Sequence, residues 1–146
     1  MLCPYCNNYE TKVTDKRDHR GVTRRRRECL KCQKRFTTYE RVELDLRVIK
    51  KDGRRERFSR EKLKRGIEKA FEKRPVSSEK VEELIDDIES RIYRSSKGKE
   101  ITTAKIGQIV MDKLKKIDKV AYIRFASVYR QFKDVDEFQE ELKKLK

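Results

Sequence analysis

The chain has 146 residues, 46% of them charged, with 41 Lys or Arg against 26 Asp or Glu and a formal net charge of +15. That length leaves room for two small domains, and no apolar run approaches the roughly 20 residues that span a bilayer, so a soluble protein without a membrane partner is expected. So basic a balance makes nucleic acid the first partner to consider.

The first predicted element is a small β domain over residues 1 to about 45, with strands at Tyr9 to Thr14, Val22 to Glu28 and Phe36 to Val42. The only four cysteines of the chain form Cys3-x-x-Cys6 and Cys29-x-x-Cys32 within it. A two-residue spacer lets a tight turn offer two sulfurs to one ion, and the second pair closes the tetrahedron, so one structural Zn2+ is expected. Four thiolates leave no position for a catalytic water, and His19 is the single histidine. A redox dithiol ordinarily comes as one pair in a βαβ setting, and a disulfide framework ordinarily follows an apolar signal sequence; neither context accompanies these cysteines, so a reducing, cytoplasmic compartment is expected. A domain this short buries little apolar surface, so the metal should supply most of its folding free energy.

Between Lys16 and Arg35, ten Lys or Arg stand against Asp18 and Glu28 alone, which is over half of the chain's net excess. The Lys and Glu of later segments read as solvated helix faces. Arginine is different, because its planar fork binds phosphate bidentately and matches guanine O6 and N7. Consecutive arginines in a strand also project to both faces, so Arg24, Arg25, Arg26 and Arg27 cannot merely border a core. Together with Arg17 they are the candidate nucleic-acid contacts, with Lys34 and Arg35 placed at phosphates. Composition alone allows an RNA or ribosome factor as well as a DNA-binding protein.

Next, Leu44 to Lys51, Asp52-Gly53 and Arg54 to Phe58 predict a β-hairpin on a two-residue type I′ turn. That register sets Val48 opposite Arg57, Ile49 opposite Glu56 and Lys50 opposite Arg55, with Val48, Lys50, Arg55 and Arg57 sharing a face. The remainder is predicted helical. Ser59 caps a helix carrying Leu63, Ile67, Ala70 and Phe71, and Arg74-Pro75 ends it. Ser77 or Ser78 starts a second, with Val81, Leu84, Ile85, Ile88 and Ile92 inward, and Thr102 or Thr103 caps a third, with Ile106, Ile109, Val110 and Leu114 inward. Asp118 caps a fourth that bears two apolar stripes, one of Ala121, Phe125, Val128 and Phe132, the other of Tyr122, Ala126 and Tyr129. Such a helix is either central or lies against a ligand or another subunit. Asp136 precedes a short last helix. The fold class is α+β.

Several chemistries lack their motifs. There is no Gly-x-x-x-x-Gly-Lys-Ser/Thr and no Gly-x-Gly-x-x-Gly, and one histidine in a basic loop builds no triad. Asp86-Asp87 and Glu82-Glu83 read as the wet face of a helix, so no enzyme is expected. The basic hairpin at Lys50, Lys51, Arg54 and Arg55 abuts the helix start at Ser59 to Lys62, a combination of cations and unpaired backbone N–H groups that suits a phosphate chain.

Cys3-Pro4-Tyr5-Cys6, Arg24-Arg25-Arg26-Arg27-Glu28-Cys29-x-x-Cys32, Arg35-Phe36-Thr37-Thr38-Tyr39-Glu40, Lys73-Arg74-Pro75-Val76-Ser77 and Val120 to Arg130 resemble, over about residues 1 to 138, the NrdR family of bacterial transcriptional repressors. The resemblance implies a small all-β zinc ribbon (1–45) that binds double-stranded operator DNA. It implies a mainly helical ATP-cone domain (46–146), with the cone over about 48–133 and a C-terminal helix over about 136–146. It further implies a homo-oligomer that represses ribonucleotide reductase genes, with ATP and dATP as effectors of oligomeric state and DNA affinity. By position, Val48 would meet base or sugar, Lys50, Lys51 and Lys62 would lie near phosphates, and Glu56 and Tyr129 would complete the nucleotide site. Lys16, Lys51 and Phe71 stand where the family often has Ser, Arg and Cys.

Overall fold

A computed structural model describes residues 1–146 and divides into two compact units, Met1–Leu44 and Asp45–Lys146. The first is an antiparallel sheet of β1 (Thr11–His19), β2 (Val22–Cys29) and β3 (Arg35–Arg41), with β2 in the middle. β1 runs five residues past its expected end, so His19 lies on a strand and not in a loop. Its turn into β2 is Arg20-Gly21, with φ of +47° and +81° and His19 opposite Val22. Two left-handed residues between a paired couple make this the type I′ hairpin, whose twist matches that of the strands. Thr14 is an extra residue between the pairs Val13 with Arg27 and Asp15 with Arg26, a bulge in which its Oγ1 donates to the Arg26 carbonyl at 3.2 Å.

The second unit holds a smaller sheet, ordered β5 (Arg55–Arg57), β4 (Arg47–Ile49), β6 (Glu100–Thr102), antiparallel on one side of β4 and parallel on the other. β6 was not anticipated; a three-residue strand has too few positions to display a period of two. The expected hairpin is present, but it turns through three residues. Gly53 N–H donates to the Lys50 carbonyl at 3.0 Å, Lys50 N–H donates to Arg54 at 2.8 Å, and Gly53 sits at φ +85°. This is a tight turn closed by a left-handed glycine, and the Asp52 carboxylate supports it by accepting from Arg54 N–H at 3.0 Å. The additional loop residue moves the register by one, to Arg47 with Arg57, Val48 with Glu56 and Ile49 with Arg55. Glu56, and neither Arg55 nor Arg57, therefore shares the face of Val48 and Lys50.

Five helices complete this unit: α1 (Arg60–Ala70), α2 (Ser78–Ser95), α3 (Thr103–Ile117), α4 (Lys119–Tyr129) and α5 (Val135–Lys143). Each starts at a side chain that accepts a first-turn N–H, namely Ser59, Ser77, Thr102, Asp118 and Asp134. The last cap is Asp134 and not Asp136. Ile67, Ile85, Ile88, Ile92, Val110, Leu114, Ala121 and Ala126 are fully buried among these helices. Two expectations fail at this level. Val128 is exposed, so the stripe of Ala121 and Phe125 stops short of it, and Asp86 is buried. Asp86 leaves the wet face because Arg60, at the start of α1, binds it together with Glu82 (3.0 Å) and Glu89 (2.8 Å). A buried carboxylate requires such a partner, and this one comes from a different helix. At the C-terminus, the Glu141 carboxylate is only 2% exposed; it accepts from the Tyr122 hydroxyl and pairs with Arg130 at 3.1 Å and Lys144 at 2.9 Å, docking α5 on α4.

Asp118 joins three segments. One carboxylate oxygen accepts from Val120 and Ala121 N–H at 2.9 Å each, and the other from Arg74 Nε at 2.9 Å. Burial works to raise its pKa, but the Ala121 N–H and the Arg74 guanidinium outweigh that and hold the carboxyl below its ordinary 3.8. A depressed folded-state value contributes stability that is complete above the unfolded value and fades as the pH falls through it. Asp118→Ala should therefore cost about 1–2 kcal/mol at neutral pH in urea unfolding. The gap from wild type should close as the pH drops below 3.8.

Candidate metal centre and ligand pocket

The two Cys-x-x-Cys turns are built alike. Asn7 and Gln33, each following the second cysteine of its pair, are left-handed (φ +57° and +60°), and their N–H groups return to the carbonyls of Cys3 (2.9 Å) and Cys29 (3.0 Å). The four sulfurs all lie within 4.8 Å of one another, with Cys3 to Cys32 at 3.7 Å and Cys6 to Cys29 at 3.6 Å. Corners of a tetrahedron about 2.3 Å from a central zinc are about 3.8 Å apart, so the set fits one ion with every position taken. The Cys32 N–H points at the Cys29 sulfur at 3.5 Å, a donor placed to favour the ligating thiolate.

Alternation along β2 sorts the arginines. Arg24 lies between Arg17 and Tyr39, and Arg26 between Asp15 and Thr37, so these residues share one face, to which β3 adds Arg35 and Arg41. Lys12 is on this face too, opposite Glu28. Among the paired strand residues of this face, six cations stand beside two carboxylates: Asp15 near Arg17 (3.1 Å) and Arg24 (3.8 Å), and Glu28 near Lys12 (2.8 Å) and Arg35 (2.9 Å). The opposite face carries Arg25 and Arg27 beside Lys16 and Thr38, Val13 and Phe36. There Arg25 is engaged by Glu40 at 2.7 Å and Arg27 by Thr38 at 3.1 Å. Lys34 lies outside the strands, over the ring of Tyr5 at 5.0 Å. The predicted cluster of basic residues is thus divided between two faces of unequal charge.

In the second unit, five of the six residues expected at a nucleotide come together. Val48, Lys50, Glu56, Lys62 and Tyr129 line one cavity of about 220 Å³; Lys51, exposed in the hairpin turn, does not. Lys50 and Lys62 approach Glu56 at 3.5 Å each, and the two ammonium groups, Lys50 first, hold its carboxyl below the usual range. The ionised Glu56 holds both lysines in the lining of the cavity, to which the N-cap residue Ser59 also belongs. Sequence reasoning missed Thr103, Gly107 and Phe125 in this wall. Gly107 left one signal, as a glycine inside a helical pattern. A groove of about 580 Å³ adjoins the cavity, and Gly66, Phe125 and Tyr129 line both.

Residues 1–40 match the N-terminal domain of transcriptional repressor NrdR-like proteins, and residues 46–135 match the ATP cone domain. The class is therefore a zinc ribbon followed by an ATP cone. Over 99% of its length the chain is 59% identical to the transcriptional repressor NrdR of Acetivibrio thermocellus and 56% identical to that of Caldicellulosiruptor saccharolyticus, covering 97% and 96% of those proteins. Over its full length it is 55% identical to the NrdR of Petrotoga mobilis, covering 99% of it. The chain belongs to the NrdR family, whose members are named as repressors, a regulatory and non-enzymatic role. No helix is long and apolar enough to cross a membrane.

Proposed function

We propose that this chain is a cytoplasmic, nucleotide-responsive transcriptional repressor that binds duplex operator DNA upstream of ribonucleotide reductase genes. ATP and dATP bound in the cone control its oligomeric state and through it the affinity for DNA. The reading is carried by the ribbon face on which Arg17, Arg24, Arg26, Arg35 and Arg41 gather around Tyr39, a surface whose charge and forked donors suit a phosphate backbone and guanine edges. Arg25 and Arg27 then act mainly within the sheet, and Lys34 reaches phosphate from the metal-binding end.

In the cone, Lys50 and Lys62 meet the phosphates and Val48 and Tyr129 the base and sugar. A nucleotide triphosphate outcompetes the single charge of Glu56 for the two lysines. Effector control requires that ATP and dATP bind different assemblies with different affinity, since a ligand indifferent to assembly shifts nothing. Ribbons paired by that assembly would read symmetric half-sites at matching spacing.

Solution mass and operator binding, measured with ATP, with dATP and with neither, test this directly. The mass should differ among the three conditions, with the dATP form binding operator most tightly. Lys62→Ala should abolish the nucleotide response while zinc content stays at one per chain. An unchanging mass in all three conditions would sink the sensor reading even if DNA binding survived.

A further inference from the structure

Gly107 occupies the second turn of α3, where nothing in the helix itself calls for a glycine and alanine would be the better helix former. The demand comes from α4. A Cβ on Gly107 would lie 1.9 Å from Cζ, 2.2 Å from Cε2 and 2.4 Å from the hydroxyl oxygen of Tyr129. The phenol therefore rests directly on the α3 backbone. It is held there by its hydroxyl, which lies 3.2 Å from the Thr103 carbonyl oxygen and 3.1 Å from that of Ala104 and donates to this pair. Its ring stacks on Phe125 at 5.9 Å and 20°.

The seated ring stands between two spaces, because Tyr129 and Phe125 line both the 220 Å³ cavity and the 580 Å³ groove. The smaller cavity falls below the roughly 300–1,000 Å³ of sites that enclose a whole small ligand. It is the size for the nucleoside part of a nucleotide, whose phosphates extend past the rim to Lys50 and Lys62. If the ring left its seat, the cavity would open further toward the groove and lose part of the wall the two spaces share.

We propose that Gly107 is a positioning residue of the nucleotide site: its missing side chain seats Tyr129 as the wall that gives the nucleoside slot its shape. This rests on the nucleotide reading of the cone. Because the clash would be with the end of a side chain, Gly107→Ala displaces the ring and leaves α3 helical.

The test is a double-mutant cycle on the full zinc-loaded chain, with ATP affinity measured by calorimetry for wild type, Gly107→Ala, Tyr129→Ala and the double variant. Gly107→Ala should weaken ATP binding about tenfold with helical circular dichroism unchanged. In the Tyr129→Ala background the same substitution should cost less than about twofold, since the ring it would expel is already gone. Wild-type affinity in Gly107→Ala overturns the proposal, and so does an equal loss in both backgrounds, which would mean that the methyl acts on the ligand itself. The seat is also read without any nucleotide, from the ring-current shift of the Gly107 α protons. They should lie upfield in wild type and return to ordinary values in Tyr129→Ala; ordinary values in both overturn the seating. A wild-type chain with shifted protons but no ATP affinity would instead overturn the nucleotide reading and leave the seat standing.

Discussion

Stripping the metal with a chelator should collapse the sheet of residues 1–44 and abolish operator binding, while the helices of residues 45–146 keep their circular dichroism signal. Within the first unit only Cys3 and Cys29 are buried, and Tyr5, Tyr9, Val13, Leu30 and Tyr39 all remain exposed. No apolar core exists there to hold three strands against their conformational entropy. Structural zinc contributes roughly 10–16 kcal/mol in comparably small domains, enough to account for the whole fold. Cys29→Ser should behave as the apo protein does, because it removes one of four ligands and a residue at the end of the central strand. Amide resonances of β1, β2 and β3 report the outcome. Dispersed peaks for those strands in the metal-free chain would show that something other than the metal maintains the sheet.

The second large effect concerns the four consecutive arginines, which should not be equivalent. Arg24→Ala and Arg26→Ala, on the strongly basic face, should each weaken operator binding by about 1–3 kcal/mol where the contact is to a base. Where the contact is to phosphate, the dependence of log affinity on log salt should flatten by about 0.9 per residue removed. Arg25→Ala should change DNA affinity far less, because its guanidinium is already engaged by Glu40 across the opposite face. It should instead lower the stability of the ribbon by about 0.2–1 kcal/mol, the scale of an exposed ion pair. Arg27→Ala belongs with Arg25→Ala, having lost only its bond to Thr38 and a longer one to Thr11. Binding isotherms at several salt concentrations separate the two pairs, and four equal losses would refute a one-sided grip.

Local chemistry made the ribbon legible. Cysteine spacing gave the ligands, and Thr, Val and aromatic residues gave the three strands to within a few residues, except that β1 runs on to His19. Helix starts were equally plain wherever a Ser, Thr or Asp preceded an apolar period. Features that depend on the choice between two local turn closures, or on a distant partner, were not. Asp52-Gly53 announced a hairpin, but the loop length rests on whether Gly53 N–H closes back on Lys50, and Asp-Gly serves both the two-residue and three-residue turns. The tighter type I′ geometry appeared at Arg20-Gly21, where an arginine takes a left-handed conformation that no propensity would assign to it. β6 is defined by its parallel pairing with a strand some fifty residues earlier, and Asp86 is buried by an arginine from another helix. The lining of the cavity by Val48, Lys50, Glu56, Lys62 and Tyr129 came from family resemblance and could not be read from spacing. The corrected register explains the place of Glu56 on that wall.

The middle strand of the smaller sheet takes its two neighbours from well-separated parts of the chain: β5 follows it immediately, while β6 arrives only after two helices have been laid down. The cavity draws in the same way on residues from Val48 to Tyr129. No shorter fragment possesses a floor, a rim and a far wall together. Cutting the chain anywhere between Val48 and Tyr129 therefore divides the lining between two fragments. The unit must therefore be kept whole for the cavity to exist at all, however short the stretch that carries any one of its lining residues.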